Sequence, residues 1–271
     1  MKIRSKKNLP VFLCFVAILY IFAVSGCGLD NYYYLDMPRS DGHTAILSSS
    51  EDIQNYFSFV TNEESSTGNN DDYFNSSSDF IFLGTEVYYK IYSNQSTMTT
   101  VESSVSSMVS NTSTYTSASD YLIFTKGYKA LTIDHGVLDP LIKGGAAPSN
   151  RHVYIRLCDW GDSQEYQDGI CVGSSTIDRW SDSDALKVDG QAVHPRRAGS
   201  FGGFEFSKSA DSSCPLPKDG DPDVDVSSSG APEAGIWYVD MYAISVGRDT
   251  TYTESYSQPL FLGAVKIEER D

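Results

Sequence analysis

The sequence predicts a mainly β protein: an antiparallel sandwich with one short helix near 96–110. Three observations predict it. The chain holds 18 Tyr, 13 Phe and 21 Gly among many Ser and Thr. Aromatic and β-branched residues suit pleated, half-buried surfaces, and Ser, Gly, Asn and Asp fill turns. Runs of period two recur along the chain, while one run only has a helical period. A hydrophobic content of 40% is enough for a true core, and the span 41–271 is within the size of a single elaborated β domain.

Taken in order, the elements begin within a short tether, residues 28–40, where a first strand is expected at Tyr32 to Leu35. Residues 53–61, IQNYFSFVT, alternate as a strand, and a soft polar loop follows. The strongest strand is FIFLGTEVYYKIYS at 80–93. Val87, Tyr89 and Ile91 fall on one face, with Glu86, Tyr88, Lys90 and Tyr92 on the other. A charged face opposite an apolar one predicts a sheet with one wet side. The period then changes: Met98, Val101, Val105, Met108 and Val109 form a helical stripe, with Ser96 or Thr97 available as N-cap. The stripe reads as core packing, and the Ser and Thr between make the helix dependent on that packing. Further strands are expected at 120–125, 128–133, 152–158 and around 201–207. Residues 208–235 read as a long exposed loop, mobile and dispensable for folding, because they bring little apolar surface to offset ordering entropy. Two strong strands close the chain, at 236–246 and 259–269. No internal repeat is found.

The N-terminus has a different logic. Lys2, Arg4, Lys6 and Lys7 precede a nearly continuous apolar stretch from Leu9 to Ala23. That length suits a signal-peptide core and is short of the roughly 20 residues that a spanning helix needs. Val24, Ser25, Gly26 and Cys27 follow, then an abrupt polar switch at Asp30. This sequence resembles the lipobox of bacterial lipoproteins. The resemblance implies a signal peptide over 1–26, lipid on Cys27, and a tether over 27–40. It also implies an envelope location, with the outer membrane or cell surface favoured over the inner membrane because Gly28 follows the cysteine. Two or more acyl chains hold a protein firmly to a bilayer.

The mature part keeps 16 Lys and Arg against 36 Asp and Glu, a formal charge of −20. Phosphate neutralisation requires the opposite sign, so a nucleic-acid partner is not expected. The lipid is then the membrane contact, because an acidic surface is repelled by anionic headgroups. Of five cysteines, Cys158, Cys171 and Cys214 remain besides Cys14 and Cys27. Cys158 and Cys171 flank a polar stretch and either close it as a disulfide or stay reduced.

The C-terminal segment WYVDMYAISVGRDTTYTESYSQPLFLGAVKI resembles the last two strands, F and G, of a fibronectin type III or immunoglobulin-like sandwich. Trp237, Val239, Met241 and Ala243 carry the likeness, then Ser257 and Pro259. Trp237 stands where such domains have a tyrosine. The resemblance implies that 53–61 and 80–93 are strands B and C, with a large insertion before F. The lipobox followed by a Tyr-rich β domain is also similar to uncharacterised spirochaetal lipoproteins, which implies no activity.

Chemistry is sparse. His43, His135, His152 and His194 show no i, i+4 pairing, and no nucleophile elbow, Walker loop or dinucleotide fingerprint occurs. No cofactor is expected. Asp219, Asp221, Asp223 and Asp225 alternate in KDGDPDVDV. Several carboxylates in one short loop are what calcium takes, yet the EF-hand positions fail, so the better reading is a solvated acidic loop. Trp160 and Trp180 lie in polar loops, where aromatic rings either pack or stack on sugars. The function expected is non-catalytic: an envelope lipoprotein that binds a protein or glycan, or that supports the envelope. A carbohydrate-binding module and a secreted hydrolase are the alternatives.

Overall fold

Two long strands set the architecture, and both were legible as period-two runs. In the computed structural model they are β2 (Phe80–Tyr92) and β12 (Ile236–Asp249). The structure describes residues 35–48, 55–63, 80–111, 117–135, 138–145, 150–157, 169–174, 183–199, 204–206, 217–226 and 236–268. All belong to the unit Tyr33–Asp271. The other strands, in chain order, are β1 (Phe57–Val60), β3 (Lys129–Ala130), β4 (Thr132–Ile133), β5 (Ile142–Lys143), β6 (His152–Arg156) and β7 (Gly169–Gly173). They continue with β8 (Lys187–Val188), β9 (Gln191–Ala192), β10 (Pro195–Arg196), β11 (Val224–Asp225), β13 (Glu254–Tyr256) and β14 (Leu260–Glu268). The helices are α1 (Gln95–Val109) and α2 (Ser117–Asp120).

β2 and β12 run antiparallel from Tyr92 opposite Tyr238 to Phe80 opposite Asp249. β14 takes the other side of β12, also antiparallel. The spatial order β2–β12–β14 is the C–F–G order of an immunoglobulin-like sandwich. The free edge of β2 is closed piecewise. β5 covers Gly84 and Thr85, β3 covers Tyr88 and Tyr89, and β11 runs parallel to Ile91 and Tyr92. β1, β6 and β7 form a second antiparallel sheet.

The two sheets face each other across one core. Phe57, Phe59, Val153, Ile155 and Ile170 come from the smaller sheet; Val87, Tyr89, Ile91, Val239, Met241 and Val265 come from the larger. Trp237, Val239, Met241 and Ala243, which carried the fibronectin-like resemblance, all lie in this core. The described residues therefore form a mainly β sandwich with one substantial helix, as the sequence predicted.

The outer face of the large sheet differs from expectation. It is not wet. Tyr88, Tyr92, Tyr238, Tyr242 and Ile244 pack under Met98, Val101 and Val105 of α1, with Leu122 and Tyr128 beside them. Glu86 and Lys90 are 4% and 8% exposed, and Asp240 is fully buried. Tyrosine makes this layer possible: its ring packs against the helix while its hydroxyl reaches a polar partner. The Tyr92 hydroxyl donates to that of Tyr128 at 2.9 Å. The Lys90 ammonium donates to the Lys126 carbonyl and meets Asp225 at 3.0 Å.

Other corrections are local. The N-cap of α1 is Asn94, whose side chain accepts from the Thr97 N–H at 3.1 Å, rather than Ser96 or Thr97. Residues 120–125 are not a strand. They continue α2 as a π-type turn, Tyr121–Thr125, closed by the Lys126 N–H on the Tyr121 carbonyl. Leu122 is buried and Phe124 is 70% exposed, so the apolar residues of DYLIFT divide between core and surface as a turn requires. Residues 128–133 split at Leu131: β3 joins β2, and β4 joins β10. The 208–235 segment is not simply solvated, because its described part, 217–226, contributes β11 and the fully buried Asp223. Among the described residues no helix is long and apolar enough to cross a membrane.

Candidate functional site

The layer between α1 and the large sheet opens into a groove. The helix begins at the Asn94 cap and presents Met98, Val101 and Val105 to the sheet, each at most 3% exposed. Glu102 stands four residues after Met98, so it lies on the same flank. Beneath it runs β12, whose outward face carries Tyr238, Asp240, Tyr242 and Ile244 by strand alternation. A register shift between Met241 and Tyr242 bends β12 at this point. On the partner strand Gly263 holds φ at +110°, and a Cβ there would collide with the main chain of Ala45.

The groove has a volume of about 600 Å³, within the range of small-ligand sites. Its walls are Met37, Val105, Val109, Pro259, Leu260 and Phe261, with Ser103, Ser106 and Ser110 along the helix. Among the described residues Glu102 is the one charged residue of the lining, and Tyr242 also lines the groove. The rings of Tyr242 and Phe261 lie 5.2 Å apart at a tilt of 46°.

The polar groups at the base are unusual. The Tyr128 hydroxyl donates to Asp240 Oδ2 at 2.6 Å. Asp240 Oδ1, the Tyr242 hydroxyl and Glu102 Oε1 are buried and have no hydrogen-bond partner among the described residues. Burial holds the Asp240 carboxyl well above the usual carboxylate range, with the negative Glu102 nearby adding to the rise. Burial also raises Glu102. Lys90 stands opposite Asp240 in register, but its ammonium turns away to Asp225 and the Lys126 carbonyl. Burial thus favours the neutral form of Asp240, and Glu102, not Asp240, is the acidic residue that lines the groove.

A second, smaller pocket of about 260 Å³ contains Glu86 and Asp139 with Tyr88, Thr132 and Leu138. Burial pushes the Glu86 carboxyl up to about 8. Two carboxyls in a cleft would suit hydrolysis, but both Glu86 oxygens are engaged. Oε1 accepts from Val87 N–H at 3.1 Å and Oε2 from Leu141 N–H at 3.2 Å. Glu86 fastens the Leu141 segment to β2, which is a structural task.

The alternating aspartates do not converge. Asp219 is exposed, and Asp225 pairs with Lys90. Asp221 and Asp223 turn on Arg197: its Nη2 lies 2.7 Å from Asp221 and 2.9 Å from Asp223, and its Nε lies 3.0 Å from Asp223. The Tyr89 hydroxyl donates to Asp223 at 2.7 Å. The cation that lies between the Asp221 and Asp223 carboxylates is thus a guanidinium. Among the described residues no group of three or more His, Cys, Asp or Glu is arranged to hold a metal. Cys171 is buried on β7, opposite Tyr154. Cys27, Cys158, Cys214, Trp160 and Trp180 lie outside the described residues. His135 meets Asp134 at 2.9 Å, and His43 stacks on Tyr56.

Sequence reasoning missed Glu102, Asp240 and Tyr242. Two signals were available. Glu102 interrupts the apolar stripe of α1 at the i+4 position, and Asp240 interrupts the otherwise apolar run IWYVDMYAISV. A charge at a core position marks either a buried pair or a site. No protein-family model, no curated protein and no solved structure matches the chain.

Proposed function

We propose that this chain is a lipid-anchored protein of a bacterial envelope, held through Cys27, that binds a ligand in the groove under α1 without chemical conversion. The outer membrane or cell surface is its favoured place. The lipobox and the charge pattern of the N-terminus support the anchor. One observation carries the binding reading: Tyr242, 1% exposed, lines an apolar groove, and its hydroxyl is buried without a hydrogen-bond partner among the described residues. An unpaired buried hydroxyl costs about 1–3 kcal/mol. A protein that keeps one at the bottom of a pocket gains it back when a ligand supplies the partner. Engagement of Glu86 by two main-chain N–H groups weighs against the hydrolase alternative.

The test uses the full chain, labelled with a radioactive fatty acid and purified from membranes. Wild type should carry label and a bound small molecule that native mass spectrometry detects. Ser106→Trp, an exposed change that fills the groove, should keep the label and lose the molecule. Cys27→Ala should lose the label. Label surviving in Cys27→Ala overturns the anchor, and identical bound species in wild type and Ser106→Trp overturn the groove.

A further inference from the structure

Resting on that reading of the groove, we infer that its ligand presents an ammonium group on an apolar stem, with the ammonium at Glu102 and Tyr242. Four features of the groove converge on a cation. Among the described residues the one charged side chain in the lining is acidic, and no Lys, Arg or His of theirs lines the groove to receive an anion. Glu102 and Tyr242 both line the groove, and each has one buried oxygen, Oε1 and the hydroxyl, without a hydrogen-bond partner among the described residues. An ammonium brings three donors and no acceptor, which matches acceptors left open.

The third feature is the helix end. Val109 and Ser110 line the groove at the C-terminus of α1, where the last turn carries no basic residue. A helix C-terminus carries a partial negative charge that favours a cation. The Met108 carbonyl accepts from the Asn111 N–H at 3.0 Å, and the Val109 carbonyl accepts only a long bond, 3.4 Å, from the Gln258 amide. The fourth is aromatic. Phe261, 39% exposed, presents ring surface in the groove and packs on the Tyr242 ring, and ring faces attract ammonium groups. The nearest lysine, Lys90, offers no competition because Asp225 and the Lys126 carbonyl hold it.

The stem follows from the walls. Met37, Val109, Leu260 and Phe261 are apolar, so they favour an alkyl or aryl body over a polyhydroxyl one. The net charge of −16 adds long-range attraction for cations.

Isothermal titration of the purified chain with three probes of equal length tests this: hexylammonium, 1-hexanol and hexanoate. Hexylammonium should bind on the order of 10-fold tighter than hexanol, as a charge-assisted bond replaces a neutral one. Hexanoate should bind weakest. Glu102→Gln should bring hexylammonium to the level of hexanol while leaving the melting temperature unchanged, and Tyr242→Phe should weaken hexylammonium several-fold. Equal binding of amine and alcohol, or tighter binding of hexanoate, overturns the ammonium assignment and leaves an apolar groove in place. Failure of all three probes, with Ser106→Trp titrating identically to wild type, overturns the groove reading as well.

Discussion

Asp223→Ala should destabilise the protein by about 3–5 kcal/mol, the usual cost of removing one partner from a buried ion pair. Arg197 is 1% exposed and Asp223 is fully buried. The alanine would leave the guanidinium with Asp221 alone, which it meets at 2.7 Å. It would also strip the Tyr89 hydroxyl of its acceptor in the core. Domains of this kind are stable by about 5–15 kcal/mol, so the loss is a large fraction of the total. Urea unfolding reads it as a lower midpoint at an unchanged slope. Asp219→Ala, on the same loop but exposed, is the control and should stay within about 0.5 kcal/mol of wild type. Calcium should leave both midpoints where they were, since Arg197 already neutralises the carboxylates. If Asp223→Ala unfolds within 0.5 kcal/mol of wild type, the segment does not hold the sheet edge and the reasoning fails.

Two further predictions concern pH and backbone. Unfolded, Glu86 ionises near 4.5; folded, it keeps its proton to about 8. The native state therefore binds the extra proton between those values, so its contribution falls as pH rises from 4.5 to 8 and levels off above. At about 1.4 kcal/mol per pH unit the drop is roughly 5 kcal/mol, and Glu86→Gln should flatten it in urea midpoints taken from pH 5 to 8; an equal slope in wild type and variant contradicts the assignment. Gly263→Ala meets both a positive φ and the main chain of Ala45, whereas Gly42→Ala meets a positive φ in open space. The first should cost at least about 2 kcal/mol and the second about 1 kcal/mol, and equal thermal shifts would show that the Ala45 segment gives way.

Strands with strict alternation were legible because their residues report burial directly. The runs at 80–93 and 236–246 gave β2 and β12 nearly to the residue, and the stripe at 98, 101 and 105 gave α1. What alternation does not report is a third layer. The face of Glu86, Tyr88, Lys90 and Tyr92 has the polarity of a wet surface, and it is dry because a Ser-rich helix covers it. Tyrosine is ambiguous in this respect, since the same ring and hydroxyl serve at a surface and under a helix. The site was harder still. Glu102 and Tyr242 lie 140 positions apart and meet only because α1 crosses β12. The Arg197 network escaped notice for the same reason: an acidic loop reads as solvated until its guanidinium arrives from 24 residues upstream of Asp221.

The pairing of β2 with β12 also governs how the chain must come together. Tyr92 finds Tyr238 only after 146 intervening steps along the backbone, and β14 can join only through β12. Such a topology has high contact order, and loop closure opposes every central contact until late. A chain emerging N-terminus first therefore exposes both faces of β2, the apolar one and the tyrosine-rich one, while its partner is still unmade. The helix α1 follows β2 directly and is a local structure, so it is the element able to shield the tyrosine face during that wait. The other face has no local cover. An emerging chain with one bare strand face is at risk of aggregation, and this fold is one whose yield should depend on a chaperone that holds β2 until β12 appears.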